Sequence, residues 1–171
     1  IREPISISGT FGQEIKDSLF LRPFEEVEFP DNERKSFAYK HLSRANIALY
    51  QDTEEVMVDL KNQGFKLAIV SNMYSITSDR LRRSFPNFLE MFDHLTFSSE
   101  VGLMKPDERI FIYTLRRLNQ KCGIEILPSE VVMVGDDMEK DVIPAQKLDM
   151  QARLIDRNKQ NLMEVLNGKE R

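Results

Sequence analysis

Three short polar segments in the 171 residues follow runs of apolar and β-branched residues, and each holds side chains suited to an ion. Ser71-Asn72 comes directly after Lys66–Val70. A hydroxyl and exposed amides at a strand tip can hold a phosphate oxygen, although Ser-Asn is also ordinary loop composition. Gly102-Leu103-Met104-Lys105-Pro106-Asp107 sets a lysine immediately before a proline. Proline restrains the residue before it to extended backbone, so the Lys105 ammonium can be aimed. A fixed ammonium can neutralise a nucleophilic carboxylate and a phosphoryl group together. Gly135-Asp136-Asp137-Met138-Glu139-Lys140-Asp141 follows the apolar run Val131–Val134 and crowds acidic side chains at one point. Hard oxygen donors gathered this way suit Mg²⁺, which keeps waters and is held by one or two carboxylates plus a substrate phosphate. A solvated acidic turn is the plainer alternative.

These segments need a scaffold that brings them to one edge. From Lys66 onward, short β-branched runs alternate with helical patterns, which predicts strand-helix-strand units and a parallel sheet. The strand candidates are Lys66–Val70, His94–Ser98, Val131–Val134 and Gln151–Ile155. Each is a short apolar run of the kind buried on both faces. The spacing predicts a helix from Asp52, as cap with Glu55 three residues on, to a left-handed stop at Gly64. A second runs from Pro106, at its first position, to Cys122. A third begins near Glu139 and accommodates Pro144 only in its first turn. The last lies around Leu162–Leu166. Asn32–Tyr50 carries Ala38, Leu42, Ala45 and Leu49 at helical spacing, so residues 1–50 read as a helical appendage to a core at 51–171. All three polar segments then fall at the C-terminal ends of parallel strands, where open α/β sheets place their ligands.

Composition narrows the function. The chain is 41% apolar and 30% charged, with 24 Lys plus Arg against 28 Asp plus Glu and a formal charge of −4. No clustered basic excess is present, so no nucleic-acid partner is expected. The charged run Arg80–Arg83 reads as a solvated helix face. No apolar run is long enough to span a bilayer, so no membrane partner is expected either. The single cysteine, Cys122, cannot form an internal disulfide and reads as a half-buried packing residue in a reducing, cytoplasmic compartment. The sequence opens with Ile1 rather than Met, which leaves a processed or upstream segment open.

In this order, with helices between them, the three segments resemble the haloacid dehalogenase (HAD)-like hydrolase superfamily, which is dominated by phosphate-monoester phosphatases. Ser71 is similar to its phosphate-binding Ser/Thr. Lys105 matches the lysine of its Gly-x-x-Lys-Pro-x-x-x-Ile-Phe pattern, here Gly102 through Ile110-Phe111, and Asp136 with Asp141 matches its Gly-Asp-x-x-x-x-Asp segment. The resemblance runs from about Tyr50 to Leu166. It implies a doubly wound, Rossmann-like parallel sheet with a small helical cap, as in subfamily I, and a Mg²⁺-dependent phosphatase of a small phosphorylated metabolite. By this resemblance Ser71 and the Asn72 amide bind the phosphoryl oxygens, Lys105 offsets charge, and Asp136 and Asp141 serve the metal. Asp149 stands where relatives commonly have Gly, a position that Asp tolerates in the left-handed region. Asp137 stands where many have Ser or Thr and is open to metal sharing or to solvent.

One part of the resemblance is missing. Family catalysis uses an Asp-x-Asp pair at the tip of the first strand, one carboxylate attacking phosphorus and the other serving as acid and base. No Asp-x-Asp occurs in the 171 residues. The local match is Ser6-Ile7-Ser8-Gly9-Thr10, within a degenerate first strand at 5–11. Two readings stay open: Ser6 and Ser8 replace the pair, or residues 1–50 are all cap and the pair lies upstream of Ile1. The alternative function is a catalytically inactive pseudophosphatase, or a regulatory protein that binds phosphate and metal. Arg22, Phe24, Tyr39 and His41 are candidates for the mouth of the site, with ordinary packing the competing role of each.

Overall fold

The computed structural model describes residues 47–168 and, as backbone alone, Ile5–Ile7. Five strands form the sheet: β1 (Ile5–Ile7), β2 (Leu67–Ser71), β3 (His94–Phe97), β4 (Val132–Gly135) and β5 (Gln151–Leu154). Their order is β3-β2-β1-β4-β5, and every pairing is parallel. The four strands expected after Lys66 are therefore present, with ends shifted by at most one residue. The segment around Ile5–Ile7 is the central strand.

Period-two alternation sorts the strand side chains onto two faces. Leu67 and Ile69 of β2 join Val132 and Val134 of β4 in one core, which is closed by α1 (Thr53–Asn62), α2 (Ser75–Ser84), α3 (Pro86–Glu90) and α7 (Leu162–Leu166). Ala68, Val70 and Met133 face the other core, closed by α5 (Glu108–Cys122) and α6 (Ile143–Gln146). With helices on both faces, β2 and β4 are buried along their length, which is why they read as unbroken apolar runs. Each fully buried Leu or Ile here contributes roughly 1.5–3 kcal/mol. The doubly wound expectation holds; the cap expected within residues 1–50 falls almost wholly outside the described residues.

Several local expectations change. Helix α5 starts at Glu108 rather than Pro106, because the Asp107 side chain caps it by accepting from the Arg109 amide at 2.9 Å. Asp52 precedes α1, but its side chain makes no capping bond; it is drawn to a distant arginine instead. After β4 the chain forms a π-helical turn, Met138–Val142, before α6 begins, with Pro144 in the first turn where it was required. Ile47–Tyr50 is irregular, so the helical pattern of Asn32–Tyr50 does not persist through its last residues. Arg80–Arg83 is only partly a solvated face, because Leu81 is fully buried and the Arg82 guanidinium lies 5.1 Å from the Phe97 ring centroid. Gly64 (φ 88°) and Asp149 (φ 60°) both take the left-handed conformation anticipated for them.

Candidate active site

Ser71 is the last residue of β2, level with Phe97 of β3, and is half-buried at the C-terminal edge of the sheet. Asn72, next along, spends its side chain on main chain: Nδ2 donates to the Lys105 carbonyl at 2.8 Å and Oδ1 accepts from the Lys105 N–H at 2.7 Å. That ring fixes the start of the Lys105 side chain. Its other end is fixed as well, since Nζ donates to Asp141 Oδ1 at 2.5 Å, with the two side chains 7% and 1% exposed. A buried ammonium is costly to hold without such a partner. Lys105 is thus aimed, as expected, but a carboxamide clamp and an ion pair do the aiming, in addition to the proline.

At the tip of β4, Gly135 lets the chain fold back on itself. A Cβ at this position would sit 2.4 Å from the Asp141 Cβ and Oδ2, so only glycine permits the approach. The second Asp141 oxygen accepts from the Asp137 N–H at 3.1 Å. Asp137 does not simply face solvent. Its Oδ1 accepts from the amides of Glu139 and Lys140 at 3.0 Å each, capping the π turn, and its Oδ2 meets Lys140 Nζ at 3.0 Å. That bond to Asp137 holds the Lys140 ammonium above its ordinary pKa.

Among the described residues, no three His, Cys, Asp or Glu side chains are grouped to hold a metal ion. Each Asp141 oxygen accepts one hydrogen bond, from Lys105 and from the Asp137 N–H, and keeps a further lone pair, and Asp136 lies half-buried at the same strand tip. Two carboxylates are a small donor set, and Mg²⁺ is the divalent ion that accepts one or two by keeping its waters. The residues fit Mg²⁺, with Asp136 and Asp141 the carboxylates that would hold it, and Asp141 also bonds Lys105.

The strand order 3-2-1-4-5 reverses direction between β1 and β4, the switch point at which such sheets open a crevice beyond their C-terminal ends. Ser71, Lys105, Asp136 and Asp141 flank that point. Ser6 pairs in register with Ala68 and Met133, so Ile69 and Val70 still separate its level from Ser71 on one side, and Val134 and Gly135 separate it from Asp136 on the other. Ser6 thus lies inside the central strand, short of the level of the strand tips. Ser8, Arg22, Phe24, Tyr39 and His41 lie outside the described residues.

A second ion pair lies at the same edge and was not foreseen. Arg157, after β5, donates through Nη1 and Nη2 to the Asp52 carboxylate and stacks on Tyr50, its guanidinium carbon 4.2 Å from the ring centroid. The Leu162 N–H adds a bond to Asp52 at 2.6 Å. Burial pushes the Asp52 carboxyl up, but Arg157 and Leu162 outweigh it and hold the group below the usual carboxylate value. With Arg157 105 positions after Asp52, no local spacing signals this pair. Cys122 packs against the α5 core, and burial, with Asp93 nearby, pushes its thiol up, consistent with a packing role.

Comparison with known proteins agrees with this geometry. The family model described as haloacid dehalogenase-like hydrolase matches residues 14–149. A glyceraldehyde 3-phosphate phosphatase of Methanothermobacter thermautotrophicus is 32% identical over 68% of this chain and 49% of its own length. The crystal structure of a HAD phosphatase from Thermococcus onnurineus matches with a TM-score of 0.57 and 29% identity over 79% of this chain and 57% of that one. A HAD family enzyme from Bacteroides thetaiotaomicron, crystallised in complex with magnesium and inorganic phosphate, shares the fold with a TM-score of 0.66 at 14% identity, over 95% of this chain and 98% of its own. The chain spans about half the length of the curated relatives it matches. A parallel sheet with a phosphate-suited serine, a buried lysine and a glycine-aspartate turn at its switch point, together with a family match over most of the chain, establishes that the chain belongs to the haloacid dehalogenase-like hydrolases.

Proposed function

We propose that the protein is a Mg²⁺-dependent phosphatase of a small phosphorylated metabolite. The observation that supports this reading best is the buried Lys105 ammonium, held at both ends beside the Ser71 tip by Asn72 and Asp141. A cation so placed meets the negative charge of a phosphoryl group without having to reorganise, which is the main source of electrostatic stabilisation in such sites. Ser71 donates its hydroxyl to a phosphoryl oxygen, and the Asn72 main-chain amide adds a second donor. Lys105 neutralises the phosphoryl charge. Asp136 holds Mg²⁺, which, when bound, lowers the negative charge on the phosphoryl oxygens. Relatives named for glyceraldehyde 3-phosphate and phosphoserine suggest a compact polar substrate. The chain's acidity argues against nucleic acid as partner, and a single half-buried cysteine suits the cytoplasm.

A second reading is favoured by one observation: no Asp-x-Asp occurs in the sequence, and the aligned Ser6 lies within β1. In that reading the same site binds phosphate without hydrolysing it. Release of p-nitrophenolate from p-nitrophenyl phosphate with Mg²⁺, abolished in Asp136→Ala, supports the phosphatase. Phosphate binding with no turnover supports the second reading, and the absence of both rejects the site.

A further inference from the structure

The two loops that would hold the phosphoryl group are fastened by a residue so far given no role. Ser98 opens α4 (Ser98–Val101), one residue past β3. Its Oγ accepts from the Met73 N–H at 3.0 Å and donates to the Met73 carbonyl at 3.3 Å, across 25 residues of chain. Asn72, the residue before Met73, closes its own two bonds on the main chain of Lys105. The segment from Ser98 to Lys105 is therefore stitched at both ends to consecutive residues of the loop leaving Ser71. Arg82 of α2 adds an outer stitch, its Nη2 reaching both Glu100 oxygens at 2.9 and 3.0 Å. Met73 is itself anchored, 8% exposed within the core.

We propose that Ser98 is a positioning residue of the phosphate site, setting the separation of Ser71 from Lys105 through the Met73 main chain without touching the substrate. This rests on the phosphate-binding reading of Ser71 and Lys105. A hydroxyl is suited to the task because one small atom both donates and accepts, satisfying two main-chain groups that would otherwise lose their partners. Misplacement of a binding group by an ångström or less is enough to weaken a preorganised site strongly.

The test uses the full chain, saturating Mg²⁺ and inorganic phosphate as the probe, with affinity read by calorimetry. Ser98→Thr keeps the hydroxyl and binds within about twofold of the parent, whereas Ser98→Val, nearly its isostere, and Ser98→Ala bind roughly tenfold more weakly. Leu118→Ala, on the buried face of α5, lowers stability but leaves phosphate affinity unchanged. If the valine and alanine variants bind as the parent does, or if Leu118→Ala weakens phosphate as much as they do, the positioning role is wrong while the phosphate site stands. If the parent binds no phosphate, the site reading fails and takes this role with it. Should Ser98→Val not fold, as judged by circular dichroism, the smaller Ser98→Ala supplies the comparison.

Discussion

The Asn72 carboxamide and the Lys105 peptide face each other as a matched pair, each donating one hydrogen bond and accepting one, at 2.8 and 2.7 Å. Asn72→Ala leaves both Lys105 main-chain groups without these partners and is expected to cost about 1–3 kcal/mol. Asn72→Asp keeps the acceptor but turns the donor into an oxygen facing a carbonyl, so it should cost at least as much. Urea unfolding of the two variants checks the order.

Lys105 and Asp141 form a buried pair, so removing one partner strands the other. Lys105→Met should destabilise by about 3–5 kcal/mol, and the double variant Lys105→Met with Asp141→Asn should recover most of that loss. A double-mutant cycle by denaturant titration measures the coupling. Phosphate binding, read by calorimetry, should be lost in both.

Gly135 is irreplaceable for a steric reason. Gly135→Ala places a methyl group 2.4 Å from Asp141 atoms, which forces Asp141 away from Lys105. We expect a loss of about 3 kcal/mol, the upper end for overpacking, together with impaired phosphate binding. Thermal denaturation and phosphate titration report the two effects separately.

Arg157→Lys keeps a positive charge but loses the forked contact with Asp52 and much of the stacking on Tyr50. About 2 kcal/mol should be lost, because the planar fork is what the site uses. A chemical-denaturation midpoint equal to the parent's would refute this.

His94 gives a pH signature. Burial first, then Arg117 and Lys121, holds its imidazole below the ordinary value of 6.5, and its Nε2 is buried with no hydrogen-bond partner. The unfolded chain therefore takes up a proton near pH 6.5 that the native state resists. This contribution is intact above that pH and is lost as pH falls below it. Asp52 and Asp93, held below their ordinary 3.8, add their own loss only at lower pH. Melting temperature should drop between about pH 7.5 and 5, and His94→Gln should flatten that slope.

Much of the architecture was legible because it rests on local pattern. Leu67–Val70 and Val132–Val134 are buried on both faces and so appear as apolar runs, and Gly64 and Asp149 mark turns through their own backbone preferences. Ser71, Lys105, Asp136 and Asp141 were legible as types at spacings. Their division of labour was not, because it depends on contacts across the sheet. Asp141, expected at the metal, also bonds Lys105 and the Asp137 amide, and Asp137 caps a turn. Asp52 looked like a helix cap from its neighbours, but a guanidinium 105 residues away outcompeted the local amides. Ser98 offered no signal at all, since a serine after a strand is unremarkable until the main chain it binds is known.

The ion pair between Lys105 and Asp141 also has a meaning for cooperativity. Lys105 belongs to the β2–β3 side of the sheet and Asp141 to the β4–β5 side, with three-residue β1 between them. Both apolar cores already join the two sides, Leu67 and Ile69 packing with Val132 and Val134 on one face and Ala68 and Val70 with Met133 on the other. The pair adds a buried polar tie to these shared cores, so the two sides should melt as one unit, and a variant lacking the pair should lower the midpoint while the transition stays single.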